Sequence, residues 1–338
     1  MTQHIRPDFL ADWKREQVAG ALAKHGLQTT MRPTISSPPH SRRRAVFTGW
    51  RTKSGAEIGF HSRGTDAVVP ISTCTLVRPE IEDKFDVLRL FARLAATRKK
   101  TVRIGVTVSL GGLDVDVSQA KEITHEIRAE IVRLTHNHQL ARVFWNSELV
   151  LEREPAQHRF GNALIAPPNG SFLQATQQGE DALLTTVKEI VSNAKSVIDL
   201  FAGCGTFALP LAQSAEVFAV EESHPMLAAL DKGWRHTKGL KKIQTKARDL
   251  FRNPLQPDEL KQFDAAVIDP PRAGAREQTA QLARSTVAKI AFVSCNPATF
   301  ARDARTLVDA GYSLDWVQTV DQFLWSGHCE LVAQFTRT

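Results

Sequence analysis

Residues 197–207 read VIDLFAGCGTF, and the fold turns on this stretch. Val197, Ile198, Leu200 and Phe201 form an apolar run cut off by a glycine turn, the mark of a buried strand. Gly203 and Gly205 let the backbone pass close to a ligand where a side chain would clash, and Thr206–Phe207 open a helix. The same alternation continues outward. A helix over about 174–194 precedes the strand, and a helix over 207–214 follows it. EVFAVE (216–221), KIQTKA (242–247), FDAAVID (263–269) and KIAFVSC (289–295) read as further strands. Helices are expected at 225–237, between 269 and 289, and at 298–310. Alternating strands and helices specify an α/β fold: a doubly wound, mostly parallel sheet covered on both faces. Two last strand-like runs, 312–319 and 330–336, have no helix between them and are expected as an antiparallel edge hairpin.

The pattern changes before Pro167–Pro168. Residues 8–26 carry Phe9, Leu10, Trp13, Val18 and Leu22 at helical spacing and stop at Gly26. PTISSPPHS (33–41) reads as a turn-rich linker. Short strands are expected at 44–51, 56–62 and 67–73, a helix at 80–97, and a hairpin turning at Gly111–Gly112. A helix over 121–136 and a strand over 142–153 complete an α+β region. The expected division is an N-terminal helix and basic arm (1–34), an α+β domain (35–165) and the doubly wound domain (166–338). No internal repeat is evident.

Of the 338 residues, 42% are hydrophobic and 23% charged, enough apolar matter for packed cores. No apolar run reaches the roughly 18–20 residues that span a bilayer, and the first 25 residues hold no signal-peptide core. Four cysteines without a C-x-x-C pair suggest reduced thiols and a soluble cytoplasmic protein, and a monomer with no membrane partner is expected. The net charge of +7 is uneven: residues 1–165 carry 25 Lys and Arg against 17 Asp and Glu. The 40 residues between Glu16 and Glu57 contain no carboxylate. Such a local excess attracts polyanions, nucleic acid first among them.

The glycine loop lacks both a third glycine and a Walker lysine, so neither a dinucleotide nor an ATP phosphate suits it. Glu221, about 20 residues on, can accept the two hydroxyls of a ribose. The spacing DxFxGxGxF resembles motif I of class I S-adenosylmethionine methyltransferases. Three further pieces narrow the class: Asp-Pro-Pro-Arg at 269–272, Ser-Cys-Asn-Pro at 294–297 and Gly-His-Cys-Glu at 327–330. Base N-methyltransferases carry an aromatic residue where Arg272 stands. With these motifs the chain resembles the RNA 5-methyluridine methyltransferases, which act on uracil C5 in transfer or ribosomal RNA. The resemblance implies Cys295 as nucleophile and Glu330 as general base. It implies S-adenosyl-L-methionine contacts at Gln174, Phe201, Thr206, Glu221, Asp249 and Asp269, with Asp269 counted as binding before catalysis.

The residue types suit that chemistry on their own. Uracil C5 is a poor nucleophile until a thiolate adds at C6, and the C5 proton must then leave so that the cysteine can eliminate. A free thiol is only partly ionised at neutral pH, so the surroundings of Cys295 are expected to favour its thiolate. The target uridine would have to be flipped out of its stack, which favours an RNA loop. Arg42, Arg43 and Arg44 are expected nearest the RNA backbone. Cys204 and Cys329 are expected to be structural, and His328 a packing or hydrogen-bonding residue.

Relatives that bind an iron–sulfur cluster use four cysteines. Cys74 resembles the fourth, and the other three are absent from this chain, as is the small N-terminal barrel of some relatives. One cysteine cannot hold a cluster, so no metal is expected. The cluster is lost, or the coding sequence starts farther upstream, or the chain is trimmed. A cytosine-C5 methyltransferase uses the same thiol addition, and the position of Glu330 near the C-terminus counts against it. A non-catalytic RNA-binding remnant is the other alternative, and an intact Cys295, Glu330 and Gln174 count against it.

Overall fold

In the computed structural model, which describes residues 3–62 and 64–337, the chain begins with α1 (Pro7–Ala23) and β1 (Thr30–Ser36). A first run of elements follows: β2 (Arg44–Arg51), β3 (Ala56–His61), β4 (Val68–Pro70), α2 (Pro79–Glu82), α3 (Phe85–Ala95), β5 (Val102–Ser109), β6 (Gly112–Ser118), α4 (His125–Asn137), β7 (Arg142–Trp145) and β8 (Glu148–Glu152). The short strands β9 (His158–Phe160) and β10 (Ala163–Ile165) pair with each other. Alternation then sets in with α5 (Gln177–Ile190), β11 (Ser196–Leu200), α6 (Ala208–Leu211), β12 (Glu216–Glu221), α7 (His224–Arg235), β13 (Ile243–Ala247), α8 (Pro257–Leu260) and β14 (Ala265–Ile268). The chain closes with α9 (Arg276–Ala283), β15 (Lys289–Ser294), α10 (Pro297–Asp309), β16 (Ser313–Asp321) and β17 (Glu330–Thr336).

These elements form two units. One comprises Met1–Ser37, Arg159–Gln174 and Gln178–Thr338, and the other Pro38–His158 with Ala175–Gln177. The first holds an eight-stranded sheet in the order β1-β16-β17-β15-β14-β11-β12-β13. β11, β12, β13, β14 and β15 run parallel, and β17 is antiparallel to β15 and β16. The strands are apolar on both faces, as a sheet covered on both sides requires: Ile198 and Leu200 join one core, and Val197, Ala219 and Val267 the other.

Two expectations need correction here. The final hairpin is not the sheet edge, because β17 inserts between β15 and β16, and β1 lies outside β16 in parallel register from Thr30↔Trp316 to Ser36↔Asp321. Residues 33–36, expected as linker, are thus strand, and residues 3–37 belong to the unit of the large sheet rather than to a separate arm. Pro33 is tolerated because an edge strand leaves one side of its backbone unpaired.

The second unit is a seven-stranded sheet, β4-β3-β2-β5-β6-β7-β8, antiparallel except for the β6–β7 pair. The inward residues of its strands, including Phe47, Ile58, Ile104, Val115 and Val117, pack with Leu88 and Phe91 of α3 and Ile131 of α4. The expected hairpin at Gly111–Gly112 is β5–β6.

Candidate active site

Parallel strands deliver the candidate residues at their carboxyl ends. The register aligns Leu200 of β11 with Val220 on one side and Ile268 on the other, so Phe201, Glu221 and Asp269 emerge along one rim. Strand order reverses at β11: the chain proceeds outward through β12 to β13, then returns to β14 on the other side. Open α/β sheets bind ligands in the crevice such a reversal leaves.

At β11 and β12 the rim carries the candidate cofactor residues. Glu221 Oε2 accepts the Gly203 N–H at 3.1 Å, and its Oε1 accepts the Ser223 N–H at 3.0 Å, which fixes the carboxylate beneath the loop. Gly203 has φ +55°, and a Cβ added there would meet nothing within 4 Å, so this part of the loop is open. Gly205, at φ +92°, is different: a Cβ would strike Leu209 and Leu230 at 2.9 Å, so its glycine serves packing. Phe201 adopts φ 64°, a rare conformation for a side-chain-bearing residue and one that concentrates at binding sites. Its ring lies 5.4 Å from that of Phe251, which is 42% exposed. Asp249 Oδ1 accepts the N–H groups of Phe251 and Arg252 at 2.8 and 3.1 Å, ordering the loop that carries the ring. Thr206 is half-buried beyond Gly205. Gln174 is buried, and its Oε1 accepts from Gln322 Nε2 at 2.7 Å.

Asp199, in the middle of motif I, is fully buried, and neither carboxyl oxygen has a hydrogen-bond partner of ordinary geometry. Burial raises its pKa well above the usual carboxylate range, helped by the nearby charges of Asp269 and Glu221 and only partly offset by the Ala208 N–H. An orphaned buried carboxyl beneath an open glycine loop fits a ligand rich in hydrogen-bond donors, as an adenosyl amino acid is.

The other end of the crevice holds the thiol. β15 and β17 pair from Lys289↔Thr336 to Ser294↔Leu331, so Cys295 follows one partner of the last pair and Glu330 precedes the other, close enough for the Glu330 charge to act on the thiol. Glu330 is 2% exposed and Cys295 half-buried. Asn296 pins the loop: its Nδ2 donates to the Arg272 carbonyl at 2.9 Å, and its Oδ1 caps α10 by accepting from the Ala298 N–H at 3.1 Å. The Ser-Cys-Asn-Pro and Asp-Pro-Pro-Arg segments are thereby tied together.

The electrostatics correct one expectation. Burial pushes the Cys295 thiol up to about 11, with the charges of Glu330 and Asp269 adding to the rise and Arg272 offsetting part of it. Two neighbouring carboxyls disfavour another negative charge, so this environment holds Cys295 as a thiol. Asp269 keeps partial solvent contact at the foot of the crevice, yet the surrounding protein pushes its carboxyl up to about 7.

Burial also holds Cys204 and Cys329 as thiols. It pushes Cys204 up to about 11 and Cys329 up to about 12. Cys74 is half-buried, its N–H donating to Glu82 Oε1 at 3.2 Å. Among the described residues no group of three or more His, Cys, Asp or Glu could hold a metal ion, and no helix is long and apolar enough to cross a membrane.

The arginine triplet does not form an outward cluster. Arg43 is 3% exposed and donates to Gln177 Oε1 at 2.8 Å, and its charge, after burial, helps hold His158 down to about 3. Arg42 Nε donates to the Arg44 carbonyl at 3.0 Å, and Arg42 and Arg44 are both half-buried. Arg43 directly precedes β2 and continues its alternation, on the buried side with Ala45 and Phe47, which turns it away from an RNA backbone.

The sequence reading gave no role to Asp199, although motif I contains it, nor to Asn296, Arg272 or Phe251. Asp199 was findable as a carboxylate in an otherwise apolar strand.

Comparison with known proteins bears on the fold and the family. An RNA methyltransferase of Brucella suis biovar 1 without assigned specificity is 40% identical over 335 residues, covering 99% of this chain and 81% of its own. The 23S rRNA (uracil(1939)-C(5))-methyltransferase RlmD of Shewanella amazonensis is 29% identical over 350 residues, covering 98% and 78%. The fold is similar to that of Pyrococcus abyssi tRNA (uracil-54, C5)-methyltransferase, solved with S-adenosyl-L-homocysteine. That TM-score is 0.78 at 22% identity, over 99% of this chain and 83% of the other. The sequence pattern described as tRNA (uracil-5-)-methyltransferase matches residues 113–337, two thirds of the chain, and the protein belongs to that family of RNA uracil-C5 methyltransferases.

Proposed function

We propose that this protein transfers a methyl group from S-adenosyl-L-methionine to C5 of a uridine in ribosomal or transfer RNA. The observation that carries the reading is the β15–β17 pairing that brings Cys295 close to Glu330, on the same rim as an open glycine loop. In this reading Phe201, Gly203, Thr206, Glu221 and Asp249 hold the adenosine part, Gln174 is a further cofactor contact, and Asp269 lies close enough to the thiol to act on its charge. Bound there, S-adenosylmethionine would supply an electrophilic methyl group.

Cys295 adds to uracil C6, which makes C5 nucleophilic; after methylation Glu330 removes the C5 proton, and Cys295 leaves as C5 and C6 regain their double bond. Because Cys295 rests as a thiol, its proton must go to a neighbour as it attacks. Asp269, held at about 7 and close enough to act on the thiol's charge, is suited to take it. A base stacked in a duplex could not present C5 and C6 to both half-buried Cys295 and buried Glu330, which supports a flipped uridine. The reading places the enzyme in the cytoplasm as a monomer. The 23S rRNA specificity of the Shewanella relative makes ribosomal RNA the first substrate to try.

The test incubates the protein with tritiated S-adenosylmethionine and total RNA from a strain deleted for this gene, then identifies the labelled nucleoside. Label in 5-methyluridine that disappears with Cys295→Ala is the expected result. Label in 5-methylcytidine would overturn the substrate base, and cofactor binding with no label in any RNA would overturn the activity.

A further inference from the structure

With Arg43 turned inward, the outward positive charge of the second unit lies elsewhere. Three strand ends meet at one end of its sheet. β2 finishes at Trp50–Arg51, β5 starts at Val102 after the loop 96–101, and β6 runs out into Gln119–Lys121. Two open grooves, of about 950 and 370 Å³, share the wall formed by Thr97, Arg98, Lys99, Lys100 and Thr101. Lys121 lines the larger groove and Trp50 with Arg51 the smaller.

The lining is ordered by its backbone. Thr97 Oγ1 accepts the N–H groups of Lys99 and Lys100 at 3.2 and 3.1 Å, and the Thr97 N–H donates to the Lys100 carbonyl. On the other wall the Lys121 N–H donates to the Ala95 carbonyl, and the Lys121 carbonyl accepts from Trp145 Nε1 at 2.9 Å. The five cations Arg51, Arg98, Lys99, Lys100 and Lys121 are all exposed, and among the described residues none of them is in an ion pair. Glu122, next to Lys121, and Glu57, opposite Trp50 in the β2–β3 register and bonded to Arg89, are nearby carboxylates, and neither lines either groove. Trp50 is half-exposed, so one wall offers a flat ring.

We propose that this double groove binds the sugar–phosphate backbone of an RNA strand, with Arg98, Lys99, Lys100 and Lys121 on phosphates and Trp50 under a base. Open ends admit a chain, fixed cations answer a repeated charge, and an aromatic face stacks on any base. This rests on the RNA-methylating reading above.

The test measures binding of a fluorescein-labelled single-stranded RNA of mixed sequence to the full-length protein across a salt series. It compares wild type with the quadruple variant Arg98→Ala, Lys99→Ala, Lys100→Ala, Lys121→Ala. Affinity is expected to fall at least tenfold, and the slope of log affinity against log salt to weaken by about 0.7 for each phosphate that is no longer neutralised. For methylation of total RNA, KM should rise while kcat stays unchanged; Lys99→Arg with Lys100→Arg should keep wild-type affinity. Unchanged RNA affinity and slope in the quadruple variant would overturn the proposal, and so would a loss confined to vesicles of anionic lipid. If wild type methylates no RNA but the quadruple variant still loses RNA affinity and salt slope, the groove stands and the activity reading falls. If wild type makes 5-methyluridine and the variant binds normally, the reverse holds.

Discussion

Asp269 ends a strand of four fully buried residues and carries its carboxyl into a poorly solvated crevice, which pushes it up to about 7 from 3.8. The folded protein therefore holds a proton between those values that the unfolded chain has released. Its contribution to stability is fully present below about 3.8, declines as pH rises towards 7, and is constant above. Asp269→Asn should flatten this decline, raising stability near neutrality by at most roughly 4 kcal/mol, while abolishing methylation. Urea unfolding of both proteins across that pH range checks it; identical pH slopes would show that the carboxyl is not held protonated. Asp199→Asn should likewise leave stability at neutral pH equal or higher, because burial already favours an uncharged side chain there. Cys295 and Glu330 could be named as candidates from the sequence because the proposed chemistry demands those residue types. Arg43 was misread because charge along a sequence says nothing about which side of the chain entering β2 the core covers.

The helix α1 shows what an element-level pattern conceals. Leu10, Lys14, Val18 and Leu22 are its buried residues, one every four positions, so a lysine occupies a slot in the core stripe. Lys14 pairs with Asp321 at 2.5 Å with the two side chains 0% and 1% exposed, and its Nζ also donates to the Phe323 carbonyl at 3.0 Å. Asp321 ends β16, one residue beyond Val320, the register partner of Glu330. Lys14→Ala leaves Asp321 charged and buried without its partner and should cost about 3–5 kcal/mol. Adding Asp321→Leu should recover much of that loss. Urea midpoints of the single and double variants decide it, and a single variant as stable as wild type would rule out a buried ion pair. The spacing of four was visible in the sequence; its polar member was not weighed, because lysines on helices are usually solvated. β1 was hidden by Pro33, which reads as a turn until a sheet edge is available to accept it. The order β16-β17-β15 was likewise beyond the sequence, because a hairpin pattern fixes pairing within the hairpin and not the strand it joins.

Across the whole chain, the basic excess of residues 1–165 and the near neutrality of the rest fit a division between holding a polyanion and performing chemistry on it. The strand–helix alternation made the large sheet and its glycine rim legible from the start. The division of the chain into units was less so, since residues 3–37 return to the large sheet through pairings nearly 300 residues distant in sequence. The proposed reaction joins protein and RNA covalently at Cys295 and releases them only when Glu330 removes the C5 proton. Glu330→Gln should slow turnover by about 10²–10⁴-fold and trap that joined species. Incubated with S-adenosylmethionine and RNA from the deletion strain, the Glu330→Gln protein should migrate on a denaturing gel as a larger, RNase-sensitive band. Adding Cys295→Ala should remove it. A Glu330→Gln protein that turns over normally with no such band, or a band that survives the loss of Cys295, would contradict the assignment of nucleophile and base.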